Sequence, residues 1–160
     1  MEAFTRFAIA VVASHTAVGI VHGVAHGAIE VFPSVADSAF IAAVVFVGPI
    51  LGAAFRVGGR SRVGDPVLLA SFLGSLLYGL SFHFLLPGPD DALGVPAGGW
   101  SAVFLATASA LALIEAFGAA AAAAVILRGP RNPSEGPVRR PRSGTGRAAT
   151  GPASRAGRGT

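Results

Sequence analysis

Three of the chain's four histidines lie on one stripe of its first apolar segment. From His15 to His26 the segment reads HTAVGIVHGVAH. In an α-helix, which turns about 100° per residue, His22 lies about −20° and His26 about +20° from His15. Imidazole rings on a narrow stripe of an apolar helix are not directed at lipid tails. The stripe should therefore face the protein interior or a wet cavity.

The fourth histidine, His83, and a glutamate, Glu115, lie in two other apolar segments at depths that match the stripe. His15 and Glu115 both fall close to the middle of their segments. His22 and His83 each lie about six residues, or roughly 9 Å, outward of the middle. His26 follows one turn farther out, near the acidic connections. We therefore expect His22 to approach His83, and His15 to approach Glu115.

These residues suit three kinds of chemistry. A transition metal needs ligands within about 2.0–2.2 Å of one ion, which His22 and His26 can provide with His83 and a carboxylate. A haem needs axial ligands on facing helices, and His15 or His22 opposite His83 would supply them. A proton or ion relay needs titratable groups along the membrane normal, in the series Glu115, His15, His22 and His26. The spacing of these residues in the sequence is compatible with all three kinds of chemistry.

The competing interpretation is structural. Charge at mid-membrane costs at least about 2.5 kcal/mol on insertion scales, so Glu115 is either neutral or paired. Polar groups that only hold helices together would suit a structural or assembly subunit of a larger membrane complex, in a homo- or hetero-oligomer. Enzyme activity is less expected, because the chain contains no phosphate-binding glycine loop and no GxSxG motif. It also has no cysteine, which excludes thiolate metal sites and cysteine nucleophiles.

The elements that carry these residues are four apolar runs. Of the 160 residues, 52% are hydrophobic and only 12% charged. About 20 residues at 1.5 Å each cross roughly 30 Å of hydrocarbon, and four runs reach that length, at about 4–28, 38–57, 66–86 and 100–127. Lipid requires every backbone group to be bonded internally, which favours helices. Residues 1–128 are therefore predicted to form an all-α, integral membrane four-helix bundle with up-down connections.

Two prolines bear on the helix boundaries. Pro66 suits the first turn of the third span, since an N–H is not needed there. Pro49 follows Gly48 inside the second span and is a candidate kink. Trp100, at the start of the fourth span, suits the membrane interface.

The distribution of charge predicts the topology. There is no lysine, and the twelve arginines lie at one set of connections, at Arg6, Arg56, Arg60 and Arg62, and from Arg128 onward. The other connections carry only acids, namely Glu30, Asp37, Asp90 and Asp91. Cytoplasmic loops are enriched in basic residues, so the pattern predicts a multi-pass protein of the cell membrane with both termini in the cytoplasm. The lipid bilayer is then its principal partner, and no nucleic acid is expected.

The composition changes at residue 129. Residues 129–160 are rich in Arg, Gly and Pro, and Val138 is their only member of the Val, Leu, Ile and Phe group. Such a segment cannot bury enough apolar surface to offset the entropy of ordering, so it is predicted to be a disordered cytoplasmic tail. Its seven arginines either attract anionic lipid, at about 1 kcal/mol each near the surface, or stay solvated and serve only the topology.

The blocks HTAVGIVHGVAHGA, SFLGSLLYGLSFHFLLPGPD and ATASALALIEAFGAAAAA resemble those of a group of small uncharacterised four-helix prokaryotic membrane proteins. The similarity covers about residues 1–127 and leaves out the tail. It implies the four-span fold, and it brings no activity with it.

Overall fold

A computed structural model describes residues 2–95 and 98–129, and its regular structure within these ranges is entirely helical. The four helices are α1 (Ala3–Ala28), α2 (Val35–Val57), α3 (Ser61–Leu85) and α4 (Gly99–Arg128). Each is long and apolar enough to cross a membrane. The all-α prediction and its four long apolar helices are therefore confirmed. The predicted disordered tail lies outside the described residues, apart from Gly129.

Two helices begin earlier than their apolar runs suggested. Helix α2 starts at Val35 rather than at residue 38, because the Ser34 hydroxyl accepts a hydrogen bond from the Asp37 N–H at 3.2 Å and caps the first turn. Helix α3 starts at Ser61 rather than at residue 66, so Pro66 lies inside the helix and not in its first turn. The prediction that Pro66 lies in the first turn was therefore wrong. A hydropathy pattern does not detect a polar first turn that is held by tertiary contacts.

Helix α2 passes through Gly48 and Pro49 without a break in helical structure. The preceding residues, Ile41–Val47, form a π-helical stretch, and the Gly48 N–H bonds the carbonyl of Ala43. A wider turn here suits Pro49, which has no N–H and would crowd the carbonyl of the turn before it. A second π-helical stretch, Ser81–Leu85, ends α3 and contains His83.

The helices pack through two apolar clusters at different levels. Contacts are most extensive between α3 and α4, between α2 and α3, and between α1 and α4. One cluster takes residues from all four helices, namely Ala8, Val12, Ala53, Leu68, Phe72, Ala119 and Ala122. The other contains Ala25, Ala92 and Phe104. The N-terminal half of α1 therefore lies beside the C-terminal half of α4, so these two helices run in opposite directions.

Arg56, near the end of α2, is a buried cation. It is 7% exposed, and its guanidinium donates hydrogen bonds to Asp65 and, at 3.1 Å, to Glu2. The guanidinium carbon also lies 4.3 Å from the centre of the Phe4 ring. A buried guanidinium needs such partners, because an unpaired charge away from water is costly. This network ties the start of α1 and the end of α2 to the start of α3.

Candidate functional site

The outer half of α1 brings two histidines of the stripe against His83 of α3. The Nε2 atoms of His22 and His83 lie 3.3 Å apart. One ring nitrogen from each of His22, His26 and His83 lies within 4.8 Å of the others. His22 and His83 are buried, and His26 is partly buried. We call these three residues the histidine trio.

Backbone carbonyls orient two members of the trio. His83 Nδ1 lies 3.0 Å from the carbonyl oxygen of Asp90, and His26 Nδ1 lies 3.1 Å from that of Val31. A carbonyl oxygen only accepts hydrogen bonds, so each Nδ1 must carry the proton and donate it. The Nε2 atom of each neutral ring then presents its lone pair.

A threonine of α4 orients the third member. His22 Nδ1 lies 2.9 Å from the hydroxyl oxygen of Thr107. That hydroxyl lies 2.7 Å from the carbonyl oxygen of Val103, to which it donates its only proton. It must therefore accept from His22 Nδ1–H. All three rings consequently hold their protons on Nδ1 and leave Nε2 free to act as a ligand.

The separation of the His22 and His83 Nε2 atoms matches that of two ligands on one metal ion. Two unprotonated Nε2 atoms at 3.3 Å direct lone pairs at each other, which is unfavourable unless a cation lies between them. Around a tetrahedral zinc ion, with Zn–N bonds of about 2.0–2.1 Å, two nitrogen ligands are separated by about 3.3–3.4 Å. Metal-ligating histidines usually donate the other ring N–H to a carbonyl or carboxylate, which is the arrangement of His26 and His83.

Phe104 of α4 closes the trio from one side. Its ring stacks on His22, with centroids 4.9 Å apart and planes at 14°. It meets His26 and His83 edge to face, at centroid distances of 4.7 and 5.3 Å. The rings of His22 and His26 are themselves 4.7 Å apart. This packing holds the imidazoles in place.

The two deeper residues form a separate pair. His15 Nε2 lies 2.9 Å from Glu115 Oε1, and the residues are 0% and 4% exposed. His15 Nδ1 has no hydrogen-bond partner among the described residues. The structure therefore brings the five sequence-predicted site residues together as His22 with His26 and His83, and His15 with Glu115. Both pairings expected from helical phase and depth are present.

A cavity of about 350 Å³ is lined both by the trio and by Glu115 of the deeper pair. The trio lines one part of it, and Ser75 and Glu115 line another. Between them stands Gly79, which has no side chain. A Cβ atom at this position would lie 3.9 Å from Glu115 Oε2 and 4.0 Å from His83 Cδ2. The missing side chain leaves this part of the cavity open.

Sequence reasoning missed the groups that orient the trio. Thr107 did carry a signal, because it is a hydroxyl eight residues outward of Glu115, while His22 is seven outward of His15. Phe104 looked like any other lipid-facing or core residue. The carbonyls of Val31 and Asp90 had no sequence signal, because backbone groups are present in every residue.

No protein-family model, no curated protein and no solved structure matches this chain. The resemblance to small four-helix membrane proteins therefore stays a prediction.

Proposed function

We propose that the chain is a membrane protein that binds one divalent transition-metal ion through His22, His26 and His83. The observation that supports this most directly is the orientation of the three rings. Each Nδ1–H donates to an oxygen atom, either a backbone carbonyl or the Thr107 hydroxyl, and ring nitrogens from all three residues converge within 4.8 Å. Convergence of this kind is what a metal ion requires from imidazole ligands.

The ligand set favours zinc or a similar ion of the first transition series. Imidazole suits zinc, copper, iron and nickel, and three protein ligands leave a fourth position for water or another group. The carboxylate of Asp90 offers compensating charge, since its Oδ1 lies 3.9 Å from His26 Nδ1. A single ion fits this space better than haem, because the rings of Phe104 and His26 occupy the space beside His22.

The surface of the helices supports placement in a membrane as an up-down bundle. Only 17–28% of the most apolar stretch of each helix is buried within the chain. Large apolar side chains face outward instead, including Ile20, Leu77, Leu113 and Phe117, each more than half exposed. Soluble monomers rarely expose apolar surface this extensively. The arginine pattern places both termini in the cytoplasm, and the trio then lies in the outer half of the cell membrane.

Metal binding by purified protein tests the proposal. We expect the wild-type chain in detergent to bind one Zn²⁺, measured by equilibrium dialysis and elemental analysis. Bound Co²⁺ should show the visible absorption of a tetrahedral nitrogen-ligated ion. His22→Ala and His83→Ala should each lower the affinity by at least about tenfold. His15→Gln is the matched control, because His15 is the one histidine outside the trio, and it should bind Zn²⁺ like the wild type.

An equal loss of Zn²⁺ affinity in His15→Gln and His83→Ala would point to a general structural role for the histidines. Absence of any stoichiometric metal would refute the proposal and favour the structural-subunit interpretation.

A further inference from the structure

The cavity has a second group of polar atoms that the metal site does not use. Ser75 and Glu115 line its inner part. Ser75 is 2% exposed, and its hydroxyl has no hydrogen-bond partner among the described residues. Glu115 bonds His15 through Oε1, and its Oε2 lies on the side of Gly79. A buried hydroxyl and a carboxylate oxygen that line the same cavity provide oxygen ligands that a divalent cation can use.

Carboxylates also mark the outer approach to the trio. A second cavity, of about 290 Å³, is lined by Asp37 and Asp90. Asp90 lines both cavities. Its Oδ1 is buried, has no hydrogen-bond partner among the residues that the structure describes, and lies 3.9 Å from His26 Nδ1. Acidic groups at the mouth of a narrow path raise the local concentration of cations. The order from outside inward is therefore Asp37, Asp90, the trio and Glu115.

We infer that the cation bound by the trio moves inward past Gly79 to Ser75 and Glu115, so that the protein is a carrier of divalent transition-metal cations. This inference rests on the proposed metal site. Two divalent cations inside one 350 Å³ cavity would repel each other strongly, so the two positions are occupied in turn by one ion. Conduction needs such successive positions, each holding the ion weakly enough to release it. His15 acts as a positioning residue that holds Glu115 toward the cavity.

The inner end of the path is closed in this structure. Phe72 packs edge to face against His15, with centroids 5.6 Å apart, and belongs to the apolar cluster shared by all four helices. In this arrangement the carrier is open toward the connections that carry acidic residues. Release of the cation on the side of the arginines requires Phe72 to move. A continuous channel would have no such apolar closure.

Zn²⁺ flux in proteoliposomes tests the inference. We expect wild-type protein to admit external Zn²⁺ to vesicles that contain a zinc-sensitive dye. Gly79→Val, which places a side chain between Glu115 and His83, should lower the flux at least about tenfold. Gly99→Val is the control of equal size, since Gly99 lines neither cavity and a Cβ there meets nothing within 4 Å. Its flux should stay within about threefold of wild type.

A second variant separates blockage from misfolding. Glu115→Gln keeps the size and hydrogen-bonding capacity of the side chain and removes its charge. It should bind Zn²⁺ at the trio within about threefold of wild type and still lose the flux. Wild-type vesicles that bind stoichiometric Zn²⁺ without admitting it would overturn the carrier and leave the metal site intact. Unchanged flux in both Gly79→Val and Glu115→Gln would also overturn it, whereas absence of Zn²⁺ binding would refute the proposed function itself.

Discussion

At the scale of single residues, the capacity of the trio to bind a metal ion depends on which ring nitrogen carries the proton. Each imidazole is held by an acceptor on its Nδ1 side, two of them backbone carbonyls and the third the Thr107 hydroxyl. Because that hydroxyl donates to Val103, it cannot also donate to His22. Orientation of this kind lowers the entropy lost when a ligand binds and keeps the metal-binding atom unprotonated. The residues that orient the trio should therefore influence affinity without touching the ion.

Thr107→Val tests this role directly. The valine has nearly the same shape and lacks the oxygen that accepts from His22, so we expect Zn²⁺ affinity to fall about 10–100-fold. Isothermal titration in detergent would measure it, and Thr107→Ser should restore most of the affinity. Ser109→Ala is the control, because the exposed Ser109 hydroxyl donates to the Leu105 carbonyl of its own helix. Equal affinity in Thr107→Val and Ser109→Ala would show that the hydroxyl does not orient His22.

At the scale of helices, the π-helical end of α3 helps to place His83. Ser75, Gly79 and His83 repeat every four residues, and in a regular α-helix each such step drifts about 40° around the axis. The wider turn of Ser81–Leu85 rotates less per residue, which brings His83 back toward the cavity side of Ser75 and Gly79. Such π turns are frequent at functional sites.

At the other end of α3, the contact with α2 depends on close backbone approach and on the Arg56 network.

Gly64→Ala should disturb the contact between α2 and α3. A Cβ atom at Gly64 would lie 2.7 Å from the carbonyl oxygen of Gly52 and 2.9 Å from the backbone nitrogen of Arg56. Backbone atoms cannot rotate away as a side chain can, so the helices must separate, at a cost of about 1–3 kcal/mol. Denaturant unfolding in mixed micelles would measure the change. Gly27→Ala, where nothing lies within 4 Å, should change the free energy of unfolding by less than about 0.5 kcal/mol.

Asp65→Ala should lower the free energy of unfolding more than Glu2→Ala, which removes the other partner of Arg56. Asp65 is 7% exposed, and its removal leaves a buried guanidinium without its closest counter-charge, which typically costs about 3–5 kcal/mol. The Glu2 side chain is 82% exposed, so Glu2→Ala should cost no more than about 1 kcal/mol. Both can be compared by thermal unfolding in the same detergent. Similar losses in the two variants would contradict the assignment of Asp65 as the principal partner.

At the scale of the whole molecule, the polar groups are divided between the two ends of the helices. The Arg56 network and the larger apolar cluster lie at one level, and the trio, Asp90 and the smaller apolar cluster lie at the other. If the arginines lie on the cytoplasmic side, as we propose, a metal ion would reach the trio from outside the cell. The topology is therefore part of the functional proposal and needs its own test.

Accessibility of single cysteines measures the topology, and the absence of native cysteine makes each label specific. Arg60 and Leu93 are both exposed and lie in different connections. In intact cells, a membrane-impermeant thiol reagent should modify Leu93→Cys and should leave Arg60→Cys unmodified until the cells are permeabilised. Val35→Cys, 90% exposed at the start of α2, should behave like Leu93→Cys. Labelling of Arg60→Cys and Leu93→Cys from the same side would exclude the proposed orientation.

The sequence by itself determined the four helices, the shared stripe of His15, His22 and His26, and the equal depths of their partners. These features follow from local rules, since an apolar run of about 20 residues spans the hydrocarbon and a helix advances by a constant angle and rise. The sequence did not predict the polar first turn of α3 or the burial of Arg56, because hydropathy carries no information about tertiary partners.

Only the tertiary structure decided the final grouping of the ionisable side chains. Helical phase and depth predicted that His22 approaches His83 and that His15 approaches Glu115, but they left a single series from Glu115 to His26 open. Packing joins His26 to His22 and His83 and leaves His15 with Glu115. The difference depends on how each helix is rotated and on how closely the helices approach. The chain after α1 and the chain after α3 also fold back, so that the carbonyls of Val31 and Asp90 reach the rings of His26 and His83. Those contacts depend on the arrangement of the whole chain, and no local pattern encodes them.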